Sequence, residues 1–336
     1  MNRALCQILA VGVLIATATT RAEVYELPPE GFDVIGAVST VTARYEDTLV
    51  DIARRHGLGY EDIVRANPGV NIWVPGEGTE VVLPTQFILP PGPRNGIVLN
   101  LAEYRMYYFP EPKDGETAYV MTYPISIGRM DWETPLGNTS VISKVRNPSW
   151  YVPQSVLAEH AAEGRPLPRI VPPGPDNPLG KYAMRLGLPG YLIHGTNRPA
   201  GVGMRVTHGC IRMFPEDIEY LFPRIGMNTS VRIINEPVKM GWIGSELVME
   251  VHPVLETAAL RPEEVTIEQS AGELAVTVPE IKDPLSYVTE QFIATTAEKA
   301  GQLDWELAEQ LIERSDGIPA PVGEEIKNAA ASAAFE

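Results

Sequence analysis

The chain is predicted to be mainly β: a β-sandwich, preceded by a small α+β module and followed by a partly helical region. Three observations predict this. From Gly96 to Asn235, short apolar-rich segments punctuated by glycine, proline and asparagine succeed one another ("GIVLNLAEYRMYYF", "YVMTYPISIG", "TSVISKV", "YLIHGT", "SVRIIN"), a spacing that favours a sandwich or barrel over alternating strands and helices. Ahead of them, two apolar clusters at helical spacing stand between extended runs. Behind them, "YVTEQFIATTAEKA" and "DWELAEQLIERS" carry apolar residues at helical spacing.

At the N-terminus, Arg3 precedes an apolar run from Ile8 to Ala18, and Thr20 and Ala22 stand as small residues before Glu23. This is a signal-peptide layout over residues 1–22. The run is well short of the ~20 residues of a membrane-spanning helix, so the mature protein is expected to start near Glu23, outside the cytoplasm and without stable membrane insertion. Losing Arg3 and Arg21 takes the formal charge from −16 to −18. So acidic a chain has no general attraction for nucleic acid or anionic lipid.

The first module spans residues 39–87. In "YEDTLVDIARRHGLGYEDIVRANPGVNIWVPGEGTEVVLP", Leu49, Ile52 and Ala53 mark one helix, and Ile63, Val64 and Ala66 a second that Asn67-Pro68 ends. Asp47 and Thr48 stand where an N-cap belongs, and "EVVLP" closes the unit as a strand. The proline-rich "ILPPGPRNG", residues 88–96, reads as a stiff linker holding two domains apart. The main β domain then covers residues 97–236. Within it, Tyr151 to Leu186 reads as a long insertion with a helix in "PQSVLAEHAAEG", placed to act as a lid. Residues 237–336 read as a hairpin turning at Ile243-Gly244, two helices and a low-complexity end, "NAAASAAFE". The acidic C-terminal region is expected to be a solvated helical cap rather than a partner-binding segment. No internal repeat is seen.

Loss of the leader removes Cys6 and leaves Cys210 without a partner in its own chain. Exported proteins normally use cysteines in pairs, so a lone thiol that follows two histidines in "HGTNRPAGVGMRVTHGCIRM" points to chemistry. Gly209 permits close approach of a carbonyl and inward-turned amides. His194 ends the strand-like "YLI" and from that strand tip faces a neighbouring strand, which makes it the expected base. His208, two positions before Cys210, shares its face only in a regular strand. Arg212 suits either a substrate carboxylate or a structural salt bridge. Zinc held by His194, His208 and Cys210, and an inactive wall-binding protein, are the competing classes; the loose spacing and the intact cysteine and histidine favour catalysis. His56, His160 and His252 read as surface or packing residues.

Asp47-Thr48-Leu49, Ile52-Ala53, Ile63, Asn67, Val74-Pro75, Gly78 and Val82-Leu83-Pro84 resemble LysM, a module that binds glycans containing N-acetylglucosamine such as peptidoglycan. "HGTN" followed by "THGCIRM" resembles the L,D-transpeptidases with a YkuD-type catalytic domain, over roughly Gly96 to Pro237. "RMDWETPLGNTSV" and "PPGPDNPLGKYAMRL" match the same family's other blocks. The resemblance is strongest to a periplasmic Gram-negative subgroup that includes enzymes anchoring Braun lipoprotein to the wall.

The resemblance implies that Cys210 is the nucleophile and His194 its partner, oriented by the backbone carbonyl of Gly195. Thr207, His208, Gly209 and Arg212 would shape the pocket, with the amides of Gly209 and Cys210 holding the oxyanion. It also implies a peptidoglycan tetrapeptide stem as substrate, attacked at the bond between diaminopimelate and terminal D-alanine to give a thioester. The acceptor would be a second diaminopimelate, giving a 3-3 cross-link, a lipoprotein lysine, or water in an L,D-carboxypeptidase. No metal or organic cofactor is required.

Overall fold

The computed structural model describes residues 23–130, 132–255 and 282–326, together with the backbone of 267–270 and 273–276. The expected signal peptide and the low-complexity end lie outside the described residues. The chain is mainly β, as predicted. Its centre is a curled nine-stranded sheet whose spatial order is Glu23–Glu26, Tyr119–Pro124, Arg105–Phe109, Gly96–Asn100, Ser230–Ile234, Gly137–Arg146, Tyr182–Leu186, Leu192–His194 and Ile211–Arg212. Most neighbours run antiparallel. Gly96–Asn100 with Ser230–Ile234, and Leu192–His194 with Ile211–Arg212, are parallel.

Three consecutive strands are apolar on both faces. Ile97, Leu99, Met106, Tyr108, Met121 and Tyr123 point into one core, closed by Ile218, Leu221 and Phe222 from the helix Pro215–Leu221 and its end. Their alternate neighbours Val98, Tyr107, Phe109 and Val120 point the other way, into a second core shared with Leu49, Ile52, Leu58 and Ile63 of the N-terminal module. Period-2 side-chain geometry makes this arrangement unavoidable for a near-continuous apolar strand: each face must find a cover.

The N-terminal module has the predicted layout. Strands Ser39–Thr42 and Glu80–Leu83 pair antiparallel around helices Leu49–Arg55 and Tyr60–Ala66. Thr48 caps the first helix, accepting from the Asp51 amide, while Asp51 reaches back to the Thr48 amide in a reciprocal capping box. Residues 88–96 correct the expectation of a spacer. Ile88 and Leu89 are buried, and Gln86–Ile88 pairs with Val34–Gly36. The apolar start of this segment is drawn into the interior, so the module sits against the main sheet instead of being held away from it.

The expected insertion is also shorter than its sequence limits. Tyr182–Leu186 is a strand of the main sheet, while the segment before it contributes the helix Gln154–Ala162 and a small ladder, Trp150–Tyr151 with Ile170–Val171. Asn177, wholly buried, staples this segment by donating to the carbonyls of Pro148, Val171 and Pro172 and accepting from the Leu179 amide.

The C-terminal region is more than a helical cap. The predicted hairpin, Val238–Ile243 with Glu246–Val251, is joined by Ala320–Glu325 and Gly301–Leu303 in a four-stranded sheet. Helices Pro284–Thr295 and Trp305–Arg314 supply Val288, Ala308 and Leu311 to a core of its own.

Candidate active site

The chemistry-bearing residues converge on one end of the main sheet. His194 closes the strand Leu192–His194, which runs parallel to Ile211–Arg212 with His194 opposite Arg212. This register brings the residue before Ile211, Cys210, to the end of the neighbouring strand. Cys210 is a free thiol, partly buried, and its Sγ donates to the Gly190 carbonyl at 3.6 Å.

Two threonines hold the turn that carries it. Thr134 Oγ1 donates to the Gly209 carbonyl at 2.9 Å and accepts from the Gly128 amide at 3.1 Å. Thr207 Oγ1 donates to the carbonyl of Cys210 at 2.6 Å. In a planar trans peptide the N–H points opposite to the C=O. Fixing the Gly209 carbonyl on Thr134 therefore turns the Cys210 amide to the other side. Gly209 has φ +92°, and an added Cβ would stand 2.8 Å from Tyr191 Cε1, so glycine is required both for conformation and for space.

His194 is buried, and its Nδ1 lies 2.6 Å from the Gly195 carbonyl. A carbonyl only accepts, so Nδ1 carries the proton and Nε2 keeps a free lone pair. Burial, then the positive charge of Arg212, lowers the imidazole pKa to about 3, with the Gly195 carbonyl opposing. The imidazole is therefore neutral. Burial pushes the Cys210 thiol up, offset in part by the Leu192 amide and by Arg212. Thiol and imidazole are thus both favoured in their neutral forms over a preformed thiolate and imidazolium.

Arg212 has a buried Nε with no hydrogen-bond partner. Burial and the neighbouring charge of Arg198 both depress its guanidinium, while Cys210 raises it. A structural salt bridge, one of the two roles the sequence leaves open for Arg212, is not seen among the described residues.

His208 is turned elsewhere. Its Nε2 meets Glu159 Oε2 at 2.8 Å, and its ring lies edge-on to Trp132 with centroids 5.1 Å apart. Glu159 belongs to the helix Gln154–Ala162 and also accepts from Arg129. Arg129 foremost, and His208 after burial's opposing push, hold that carboxyl below the usual range. The helix expected as a lid is accordingly latched to His208. Sequence reasoning missed Thr134, Glu159, Arg129 and Trp132 as parts of this site. Thr134 lay in a quoted block without a role; nothing in the helical pattern around Glu159 distinguishes it from a solvated acid.

A family model of the L,D-transpeptidase catalytic domain (YkuD) matches residues 94–233, and one of the LysM domain matches residues 41–75. The chain is 43% identical over 230 residues to a probable L,D-transpeptidase ErfK/SrfK of Escherichia coli K12, covering 68% of this chain and 73% of the relative. It is 40% identical over 253 residues to a probable L,D-transpeptidase YbiS of the same organism, covering 74% and 81%. Among solved structures, L,D-transpeptidase 3 from Mycobacterium tuberculosis aligns over 46% of this chain and 66% of its own, at 22% identity and a TM-score of 0.30.

Proposed function

The chain belongs to the L,D-transpeptidase family, and from that premise we propose that it acts in the periplasm on peptidoglycan tetrapeptide stems, with Cys210 as nucleophile and His194 as base. The observation that carries this reading is the 2.6 Å contact between His194 Nδ1 and the Gly195 carbonyl. It leaves Nε2 as the ring's only available acceptor, on the strand adjoining the one that follows Cys210.

In the first half-reaction the Cys210 thiol gives its proton to His194 Nε2 as sulfur attacks the carbonyl of diaminopimelate. The oxyanion forms against the amides of Gly209 and Cys210, the latter turned outward by the Thr134 contact. His194 returns the proton to the departing D-alanine amine, leaving a thioester. Arg212 helps both steps: its charge favours the thiolate and makes a protonated His194 a strong acid. Thr207 and His208 hold the pocket, the one through the Cys210 carbonyl and the other through Glu159. In the second half-reaction an amine attacks the thioester, either from a second diaminopimelate or from a lipoprotein lysine.

The LysM unit, residues 39–87, holds glycan beside this site. Residues 1–22 serve as the export signal, and the mature chain has no stable membrane insertion: among the described residues no helix is long and apolar enough to cross a membrane.

Incubation of the mature protein with disaccharide-tetrapeptide, with products read by mass spectrometry, tests the reading. A dimer lacking one D-alanine is the expected product. Tripeptide alone would leave the acyl-enzyme in place but assign water, or an acceptor absent from the tube. Unchanged tetrapeptide would overturn the proposal.

A further inference from the structure

The segment that carries Cys210 is gripped on both sides by the N-terminal module. Upstream, the amides of Tyr60 and Glu61, at the start of the helix Tyr60–Ala66, donate to the carbonyls of Val202 and Gly203 at 3.0 and 3.3 Å. The two backbones are in direct contact: an added Cβ on Gly59 would stand 2.7 Å from the Gly203 Cα. Gly203 itself has φ +87° and faces the Tyr60 amide and Gly59 Cα, with no room for a side chain.

Downstream, the Arg54 guanidinium from the helix Leu49–Arg55 makes a two-point contact with Glu216, Nε to Oε1 at 2.6 Å and Nη2 to Oε2 at 2.8 Å. It also lies over the Phe214 ring, 5.4 Å from its centroid. Glu216 stands in the first turn of the helix Pro215–Leu221, directly after the strand Ile211–Arg212.

Between these grips the path to the nucleophile is short and continuous. Gly201 accepts from Ser126 Oγ at 2.7 Å, and Ser126 exchanges backbone hydrogen bonds with Arg212. Arg205–Thr207 pairs with Ile127–Gly128, and Thr207 binds the Cys210 carbonyl. A fork-shaped guanidinium pair and a glycine-on-glycine backbone contact are both directional and intolerant of displacement.

We infer that the glycan-binding module has a second role, independent of glycan: its two helices clamp both ends of the 201–216 segment and position Cys210, with Arg54 and Gly59 as positioning residues. This inference rests on the assignment of Cys210 as nucleophile made above.

The test uses the full mature chain and a soluble disaccharide-tetrapeptide. Three variants are compared: Arg54→Glu, the charge swap Arg54→Glu with Glu216→Arg, and Gly59→Ala. D-alanine release gives kcat and KM, iodoacetamide alkylation reports the Cys210 thiol, and thermal unfolding reports the fold. Arg54→Glu is expected to lower kcat about tenfold with KM little changed, and to alter the alkylation rate, since small misplacements of a reacting group are costly. The swap should recover most of both, as for any directly coupled pair. Gly59→Ala should act in the same direction.

Folded Arg54→Glu and Gly59→Ala proteins with wild-type kcat and alkylation rate would overturn the inference. So would a swap that restores stability without restoring kcat. Should Arg54→Glu not fold, Arg54→Gln, which removes the pair without inverting the charge, is read by the same criteria. A Cys210→Ala protein that still released D-alanine would sink the nucleophile assignment alone, because alkylation would still report whether the module positions that thiol.

Discussion

Two buried polar clusters in this molecule are opposites in how well their charges are matched. Where the main sheet, the strand Gln86–Ile88 and the C-terminal hairpin meet, Lys239 Nζ donates to the Ile88 carbonyl at 2.6 Å, to Glu103 at 2.9 Å and to Tyr107 Oη at 3.2 Å, and pairs with Glu250 at 2.9 Å. Tyr107 donates to Glu103, and His252 Nε2 meets Glu250 at 2.8 Å. Burial alone would raise the Glu250 carboxyl, but Lys239 and His252 hold it below the ordinary range. Glu103, Glu250 and His252 are close enough together to hold a cation, and the Lys239 ammonium already fills that part.

At the candidate active site the balance is missing. Arg212 Nε is buried without a partner, the His194 imidazole is kept neutral, and the Cys210 thiol is pushed up. Matched charge gives a rigid joint between structural units; unmatched charge stores a demand that a substrate's anionic group or developing oxyanion can meet. Low dielectric makes each cluster costly to disturb, but in different currencies.

The largest effect expected from this contrast falls on rate. Cys210→Ala should cut D-alanine release by at least about a thousandfold while leaving unfolding free energy within ~1 kcal/mol, and His194→Ala should cut release nearly as much while also losing the stability of its buried contact with the Gly195 carbonyl. Both are read by initial rates alongside urea denaturation. A large stability loss in Cys210→Ala would mean that the thiol is a packing residue. The mirror-image prediction concerns the junction. Lys239→Met leaves Glu103 and Glu250 facing each other without a cation and should cost about 3–5 kcal/mol of stability, with kcat per folded molecule retained. A neutral outcome in denaturation would show that the cluster is not the matched joint described.

His208 sharpens the comparison because it lies between the two types: near the nucleophile in sequence, yet paired with an acid. Glu159→Gln removes the partner charge without changing shape. It should lower kcat/KM by about fivefold, equivalent to ~1 kcal/mol for one partly exposed ion pair. An effect as large as that of His194→Ala would transfer the base to His208.

Legibility in the sequence follows the same division between local and long-range causes. The module's helices were readable because Thr48 and Asp51 cap locally and Leu49, Ile52 and Ala53 repeat at helical spacing. The candidacy of Cys210 and His194 rests on residue type and glycine context, and Gly209 has a positive φ that a residue with a side chain rarely adopts. The double-faced strands also left a trace: "GIVLN" and "RMYYF" lack the polar alternation of a sheet with one wet face, which signals a second cover. That cover proved to be the neighbouring module.

Other elements had no local signal. Ala320–Glu325 contains proline and glycine and becomes a strand by pairing between Glu246–Val251 and Gly301–Leu303, with a register shift against the former next to the proline. Gln86–Ile88 is too short for periodicity: its first two residues read as the end of the module, and Ile88 as the start of the proline-rich spacer. Glu159, Glu216 and Arg54 are ordinary helix-surface residue types, and only the fold brings them to His208, to one another, or to the segment around Cys210.

The effect expected to vanish at low pH concerns Asp217, a buried group that belongs to neither cluster. It sits beside Glu216 on the helix after the strand Ile211–Arg212, and its Oδ2 has no hydrogen-bond partner among the described residues. Burial, then the charge of Glu216, raises its pKa from 3.8 to about 8, with Arg105 and Arg54 opposing more weakly. A carboxyl raised in the folded state binds a proton that the unfolded chain has already released, so this residue's contribution to stability falls as pH rises from about 4 to 8. Asparagine is neutral throughout. Asp217→Asn should therefore match the wild type near pH 4 and exceed it near pH 8, the gap widening across that window in denaturant titrations. A variant less stable than the wild type at pH 8 would instead mean that Asp217 keeps its charge when folded, balanced by Arg54 and Arg105, and that the unmatched character of the active-site end stops short of this helix.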